Sequence, residues 1–291
     1  MVVVMTALWL TISSAASSRE ISYTQADSLK VIDLLAKGAN QEQDSNTLML
    51  YFARQLTGTP YKSATLEINK SEKLVVNLRQ LDCKTYIETV TALTLTTLSP
   101  DSNWDTYCAW LERIRYTGGV NHGYTSRNHY FTSWIDSNTD AGICHEVKRE
   151  GKPWTAQQKL HIDYMSRNPQ LYPMLRGNQH DISLIRQHEQ ALTGRTISYI
   201  PKALLNQGRN QLRDIHDGDI IAIVTKRRGL DTSHTGIAVW GKDGKLHLLN
   251  ASKPYRRVIL DPQPICQTLG KWSNPQGVRI VRINQIKGNT P

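Results

Sequence analysis

Residues 219–225 read DIIAIVT, residues 234–240 read HTGIAVW and residues 245–251 read KLHLLNA. Each is a short run rich in β-branched and apolar residues, bounded by turn formers, and each therefore predicts a strand. Asp243-Gly244 between the second and third runs marks a hairpin. Two further runs, 256–261 (RRVILD) and 277–283 (GVRIVRI), extend the set. The last third of the chain thus predicts antiparallel strands.

The first third has a different period. Over 24–37 the apolar positions Leu29, Ile32, Leu35 and Ala36 fall at helical spacing and stop at Gly38. The pattern repeats over 45–57 with Leu48, Tyr51, Phe52 and Leu56, ending at Gly58. A third helix is expected over 83–98, stopped by Pro100. A fourth is expected over about 102–114, with Asp101 as N-cap. Between these regions, 116–195 is irregular, with helices expected near 156–167 and 180–192. Helices first and strands later define an α+β class. No Pro/Gly/Ser linker interrupts the chain, so 19–291 reads as one domain with 116–195 as a central insertion. A split near 150 is the alternative.

The chain has 291 residues and a formal charge of +10. At this length a hydrophobic core needs no disulfide or metal staple. The composition excludes collagen-like and wholly disordered classes. Residues 1–150 carry 14 Lys+Arg against 16 Asp+Glu, whereas 151–291 carry 21 against 9. A basic half attracts an anionic partner, and nucleic acid is the first such class.

The N-terminus redirects that reading. The apolar run 2–12 (VVVMTALWLTI) precedes the small residues 13–18. It is too short to span a bilayer and reads as a signal peptide over 1–18, although no Lys or Arg precedes it. The expectation is a periplasmic or secreted chain with no nucleic-acid partner and no stable membrane insertion. Export permits disulfides. Of Cys83, Cys108, Cys144 and Cys266, Cys108–Cys144 is one pairing left open. No Cys/His spacing predicts a metal site, and no cofactor is expected.

Cys83 falls in the first turn of the third helix. Unpaired backbone N–H groups and the helix dipole there favour thiolate and can hold an oxyanion. His234 opens a strand, and Gly236 beside it permits close approach of backbone or ligand. Asn250 lies on the far side of the hairpin. A two-residue turn at Asp243-Gly244 would put Asn250 on the face opposite His234. A type I turn with Gly244 as a G1 bulge puts Asn250 opposite Gly236, diagonal to His234 on the same face. The bulged register is the one expected. Cys83 then serves as nucleophile, His234 as base and Asn250 as the group that orients the imidazole.

Several stretches recur in order: Gly58-Thr59-Pro60-Tyr61, Asp82-Cys83, Ser233-His234-x-Gly236-Ile237 and Leu249-Asn250-Ala251. The set resembles the NlpC-type papain-like cysteine peptidases of bacterial cell walls. Two more stretches narrow it: Tyr124-x-x-Arg127-x-His129-Tyr130-Phe131-x-x-Trp134-Ile135, and 229–234. With these, the chain is similar to the specialised N-acetylmuramoyl-L-alanine amidase branch, formerly a domain of unknown function. The resemblance covers most of 45–285. It implies a papain-like α+β fold, with N-terminal helices on an antiparallel sheet or partial barrel. It implies hydrolysis of the muramoyl–L-alanine amide of peptidoglycan fragments, including anhydro-muropeptides. The alternatives are a stem endopeptidase cutting at D-Glu–diaminopimelate and a non-catalytic murein-binding module.

The resemblance carries the nucleophile to Cys83, the base to His234 and the third polar position to Asn250, where many relatives have His. It places Tyr61 near the acyl site and Asp82 in the substrate pocket. Ser233 precedes the base and is taken as a substrate contact. Arg127, His129, Tyr130, Trp134 and Asp136 form a polar-aromatic stretch suited to sugar rings. The same aromatic residues would equally serve to pack the insertion on the core. Lys226, Arg227, Arg228, Arg256 and Arg257 flank the two strands, as substrate-steering charges or as a solvated surface.

Overall fold

The structure, a computed structural model, describes residues 20–286. The expected signal peptide lies outside them. β1 (Ile21–Ser22) pairs in parallel with β2 (Leu74–Val75), which strings the chain's start against the helical layer. That layer comprises α1 (Gln25–Gly38), α2 (Ser45–Gln55), α3 (Cys83–Leu98) and α4 (Trp104–Arg115). All four expected helices are present. The N-cap of α4 is Asn103, whose side chain accepts from the Thr106 N–H, and not Asp101. Gly38 ends α1 for a packing reason. A Cβ there would meet the Phe52 ring at 2.4 Å, so glycine lets α1 and α2 touch.

α3 is buried on every side from Thr85 to Thr97, as expected of a helix inside a core. The Thr96 and Thr97 hydroxyls bond back to the Ala92 and Leu93 carbonyls, which satisfies these two polar groups without solvent. Glu88 on α3 meets Arg115 on α4 at 2.7 Å, both side chains nearly fully buried.

The middle of the chain contains α5 (Phe131–Asp140), β3 (Cys144–Val147), β4 (Ala156–Lys159), α6 (Tyr164–Arg167) and α7 (Gln179–Leu192). The expected helix at 156–167 is instead strand β4 followed by one turn of helix. Residues 156–159 alternate in burial and pair with the next strand, so the sheet edge overrides their helical composition. The middle region is woven into the rest. β3 pairs with the last strand, and Phe131, Trp134 and Ile135 join the core under the helices.

The main sheet adds β5 (Thr196–Pro201), β6 (Ile220–Thr225), β7 (Thr232–Trp240), β8 (Leu246–Ser252), β9 (Arg257–Leu260) and, after α8 (Ile265–Gly270), β10 (Pro275–Ile283). Its order is β4-β5-β10-β6-β7-β8-β9, antiparallel throughout, with β3 also on β10. It is open, with β4 and β9 at its edges, and is not a closed barrel. One face packs on the helices. The other carries a second apolar cluster around Ile221, Ile223, Leu246, Leu248 and Leu269.

Candidate active site

Asp82 is the N-cap of α3. Its carboxylate accepts the Lys84 N–H at 3.1 Å, the Thr85 N–H at 2.8 Å and the Thr85 hydroxyl at 2.9 Å, while the Thr85 Oγ1 accepts from the Asp82 N–H. This reciprocal box sets where the helix begins, and so where Cys83 stands. Asp82 itself borders a neighbouring charged hollow with Lys84 and Arg127, not the cleft that holds Tyr61 and Asn250.

Strand β7 docks directly on this helix start, because the Thr235 hydroxyl donates to the Cys83 carbonyl at 2.9 Å. One residue earlier stands His234, half-buried. β6 and β7 pair as Ile223 with His234 and Val224 with Thr232, so Ser233 is an extra, bulged residue. Such a bulge re-aims the side chains beside it. Ser233 is exposed at the cleft wall.

The β7–β8 hairpin adopts the bulged register. Ile237 pairs with Leu249 and Trp240 with Leu246, which puts Asn250 across from Gly236. Gly244 has φ +70° and its N–H donates to the Gly241 carbonyl, as the G1 bulge requires. Gly236 matters through what it lacks. A Cβ there would lie 2.7 Å from Leu248 Cδ1 and 2.9 Å from Asn250 Cβ. With hydrogen in that place, Asn250 Oδ1 reaches His234 Nε2 at 2.9 Å.

The Asn250 amide donates to the Leu248 carbonyl at 3.1 Å, so its oxygen is the end that faces the ring. Nε2 therefore carries the proton, and Nδ1 is left as the basic nitrogen. Burial lowers the His234 pKa from its ordinary 6.5, against the raising effects of the Asn250 bond and the Asp261 charge. The ring is neutral at pH 7. The Trp272 ring stands nearly perpendicular to it, with ring centroids 6.3 Å apart.

Burial also pushes the Cys83 thiol up to about 11, and the Asp82 charge adds to this, while Thr235 and Lys84 pull weakly the other way. The helix terminus was expected to favour thiolate. Desolvation and the capping carboxylate outweigh it, so the free protein holds a neutral thiol beside a neutral imidazole.

Tyr61 completes the wall. Its N–H donates to the Arg256 carbonyl at 2.9 Å, and its neighbours Pro60 and Lys62 bond to Leu81 at 3.0 and 3.1 Å. The loop is thereby tied both to the entry of α3 and to the β8–β9 turn. Burial, with Cys83 and Asp82 nearby, raises the phenol to about 12, which keeps it a donor.

A cleft of about 670 Å³ is lined by Tyr61, Cys83, Ser233, His234 and Asn250. On the far side of Cys83 and His234, a hollow of about 210 Å³ is walled by His129, Tyr130, Met165 and Tyr172 of the middle region. Cys83, Ser233 and His234 border both.

The expected sugar-binding stretch lies differently. Trp134 is fully buried and stacks on Phe131 at 5.2 Å, so its face is closed to a ligand. Arg127 is buried, paired bidentately with Glu72 and singly with Glu67, each at 2.6 Å at its closest. Burial opposes its charge, but the two carboxylates hold its pKa above the ordinary value. Tyr130 donates to Glu189 at 2.6 Å from a nearly closed position. Asp136 is paired with Arg195 at 2.5 Å. A separate cavity of about 530 Å³ between α4, α5 and α7 includes Arg127, His129, Tyr130 and Asp136 but not Cys83. Cys144 holds its sulfur 3.7 Å from the Thr139 hydroxyl and 4.0 Å from the Ile135 carbonyl, the setting of a buried thiol.

Residues the sequence did not single out also shape the site. Asp231, buried, accepts the Thr132 N–H at 2.6 Å and so ties the start of β7 to the first turn of α5. Asp261 lines the cleft, held by the Gln263 N–H at 3.0 Å and the Thr268 hydroxyl at 3.2 Å. Trp272 lines the cleft beside His234. Asp231 lies in the 229–234 stretch and Asp261 at the end of the 256–261 run, but nothing in either pattern marks its role, which only the fold assigns.

Fold and site together define an α+β protein whose cleft presents a helix-start cysteine to a histidine held by an asparagine. The chain belongs to the AmiA-like family, described as N-acetylmuramoyl-L-alanine amidase-like, whose family model matches residues 51–273. This is a family of hydrolases acting on cell-wall peptidoglycan. A crystal structure of an N-acetylmuramoyl-L-alanine amidase from Bacteroides uniformis is 36% identical, covers 82% of this chain and 99% of its own, and superposes with a TM-score of 0.77. A Bacteroides fragilis protein described as a candidate xylanase is also 36% identical, covering 79% and 98%, with a TM-score of 0.74. Protein LPG0564 from Legionella pneumophila shares the fold at 19% identity, with a TM-score of 0.68 over 91% and 97%. No curated protein matches the chain. Among the described residues no helix is long and apolar enough to cross a membrane.

Proposed function

We propose that this protein is a cysteine amidase that cleaves the bond between N-acetylmuramic acid and L-alanine in peptidoglycan fragments, anhydro-muropeptides included. The observation that carries the reading is the 2.9 Å bond from His234 Nε2 to Asn250 Oδ1, which leaves Nδ1 basic in a cleft shared with Cys83.

The steps follow from the two neutral groups. Cys83 Sγ attacks the lactyl carbonyl carbon as His234 Nδ1 takes the thiol proton, which avoids a free thiolate in a desolvated site. The tetrahedral oxyanion is met by the Cys83 N–H, since Asp82 occupies those of Lys84 and Thr85, and by the Tyr61 hydroxyl. Collapse breaks the C–N bond, and the imidazolium returns its proton to the departing L-alanine amine. Water, deprotonated by His234, then hydrolyses the thioester to a muramoyl carboxylate and the restored thiol. Asn250 orients the ring throughout. The order of helix-borne cysteine, hairpin histidine and asparagine supports an NlpC-type papain-like ancestry. The apolar run 2–12 followed by small residues supports action in the periplasm or outside the cell.

The chemistry of a xylanase suits this cleft less well. Glycoside hydrolysis needs two carboxyl groups flanking the bond. Among the described residues lining the cleft the one carboxylate is Asp261, which is already held by Gln263 and Thr268.

Incubation with defined muropeptides, and product identification by mass, tests the reading. Release of a free peptide beginning with L-alanine is expected, and Cys83→Ala should abolish it. A stem cut with the sugar still attached would mean an endopeptidase. Full turnover by Cys83→Ala would remove cysteine from the mechanism.

A further inference from the structure

The cleft is not electrically uniform. Lys253, in the β8–β9 turn, and Lys271, at the C-cap of α8, both line it, and neither ammonium has an ion-pair or hydrogen-bond partner among the described residues. Asp261 also lines it, each oxygen accepting one bond, from Gln263 N–H and Thr268 Oγ1, so the two lysines outnumber the one carboxylate among the described residues lining the cleft. Across the Cys83–His234 pair, the opposite hollow presents Phe131, Met165, Tyr172 and Leu230 together with His129 and the carboxylate of Asp231, which is bonded to the Thr132 and Thr232 N–H groups. Its lysine, Lys84, is turned onto the Asn128 carbonyl.

Both free lysines stand on fixed backbone. The Lys253 turn is closed by the Arg256 N–H on the Lys253 carbonyl at 3.2 Å, with Arg256 in the left-handed region at φ +56°. Tyr61 then holds the Arg256 carbonyl at 2.9 Å. Lys271 follows α8, which Asp261 ties to the end of β9 through Thr268. One cleft residue thus anchors one cation, and the helix strut anchors the other.

We infer that Lys253 and Lys271 select substrate by the carboxylates of the stem peptide, and so fix the direction in which the substrate lies. The inference rests on the muropeptide reading above. In such a substrate the sugar side of the scissile amide is uncharged and the peptide side carries the carboxylates. The stem therefore leaves through the lysine-lined cleft, and the sugar lies toward the opposite hollow, which offers a carboxylate stem no free cation among the described residues.

The test is binding of two matched muropeptides to the Cys83→Ala protein by calorimetry. One has free stem carboxylates, and the other has them as primary amides. The acidic stem is expected to bind about tenfold tighter, as two solvent-exposed ion pairs would give, with the gap shrinking at high salt. Lys253→Gln with Lys271→Gln in that background should abolish the gap, and the corresponding Arg pair should retain it. Equal affinities in the parent, or a gap that survives the Gln pair, would overturn the assignment. Turnover by the wild-type protein is scored separately. A preserved binding gap without release of L-alanine peptide supports the charge selection and overturns the amidase reading.

Discussion

Gly236 and Asn250 face each other across the β7–β8 hairpin, and the missing Cβ of the one makes the placement of the other. With Cβ of any residue at 236 only 2.9 Å from that of Asn250, the asparagine could not keep its 2.9 Å bond to His234. Gly236→Ala is expected to cost about 1–3 kcal/mol of stability through overpacking. It should also lower kcat about tenfold by turning Asn250 off the ring. Thermal unfolding and kcat measured on one preparation check this. Wild-type kcat at reduced stability would mean that Asn250 stays in place.

Asn250 sets the tautomer of His234 without adding charge. Asn250→Ala should reduce kcat by roughly 10²-fold with a small change in KM. Asn250→Asp should move the pH profile. A protonated His234 cannot act as base, so activity falls as pH drops through its pKa, which lies below 6.5. An added carboxylate stabilises imidazolium and raises that pKa by about one unit or more. The acid limb of kcat/KM should shift upward accordingly. An unmoved limb would mean that another group governs it.

The thiol pKa near 11 predicts slow alkylation of the free protein. The thiolate fraction of such a group rises tenfold per pH unit well below its pKa. Iodoacetamide labelling at Cys83, followed by mass spectrometry, should therefore climb steadily from about pH 6 to 9. A fast, flat rate over that range would reveal a pre-formed thiolate.

Glu88 and Arg115 form a buried pair 2.7 Å apart, with the arginine also bonded to the Val75 carbonyl. Arg115→Met strands the Glu88 charge in the core, on α3 itself. A loss of about 3–5 kcal/mol in denaturant unfolding is expected. Replacing both, as Glu88→Gln with Arg115→Met, should recover part of it. A single variant as stable as wild type would show that the pair adds nothing net to stability.

Local patterns in the chain carried a good deal. Helical spacing with the stops Gly38, Gly58 and Pro100 located α1, α2 and α3 to within two residues, because stop residues and apolar periodicity act within one or two turns. Alternation and turn chemistry located β6 to β10, and Gly244 selected the bulged register that puts Asn250 on the face of His234. The four-residue strands β3 and β4 escaped, because so few residues take their conformation from the partner strand rather than from their own composition, and β5 (TISYIP), inside the sheet with strand composition, was not picked out either. Trp134 and Arg127 show the same limit for the site. Both have side chains suited to sugar, yet one is enclosed by Phe131 and the core, and the other is neutralised by Glu67 and Glu72.

By itself, then, the sequence determined the α+β class, the capped helix that begins at Cys83, and the hairpin that pairs Gly236 with Asn250. Each depends on residues close together in the chain. Only the tertiary structure decided the ionisation of the thiol, the enclosure of Trp134 and the two free lysines of the cleft. Desolvation and charge compensation are sums over neighbours from distant parts of the chain, and no local pattern contains them.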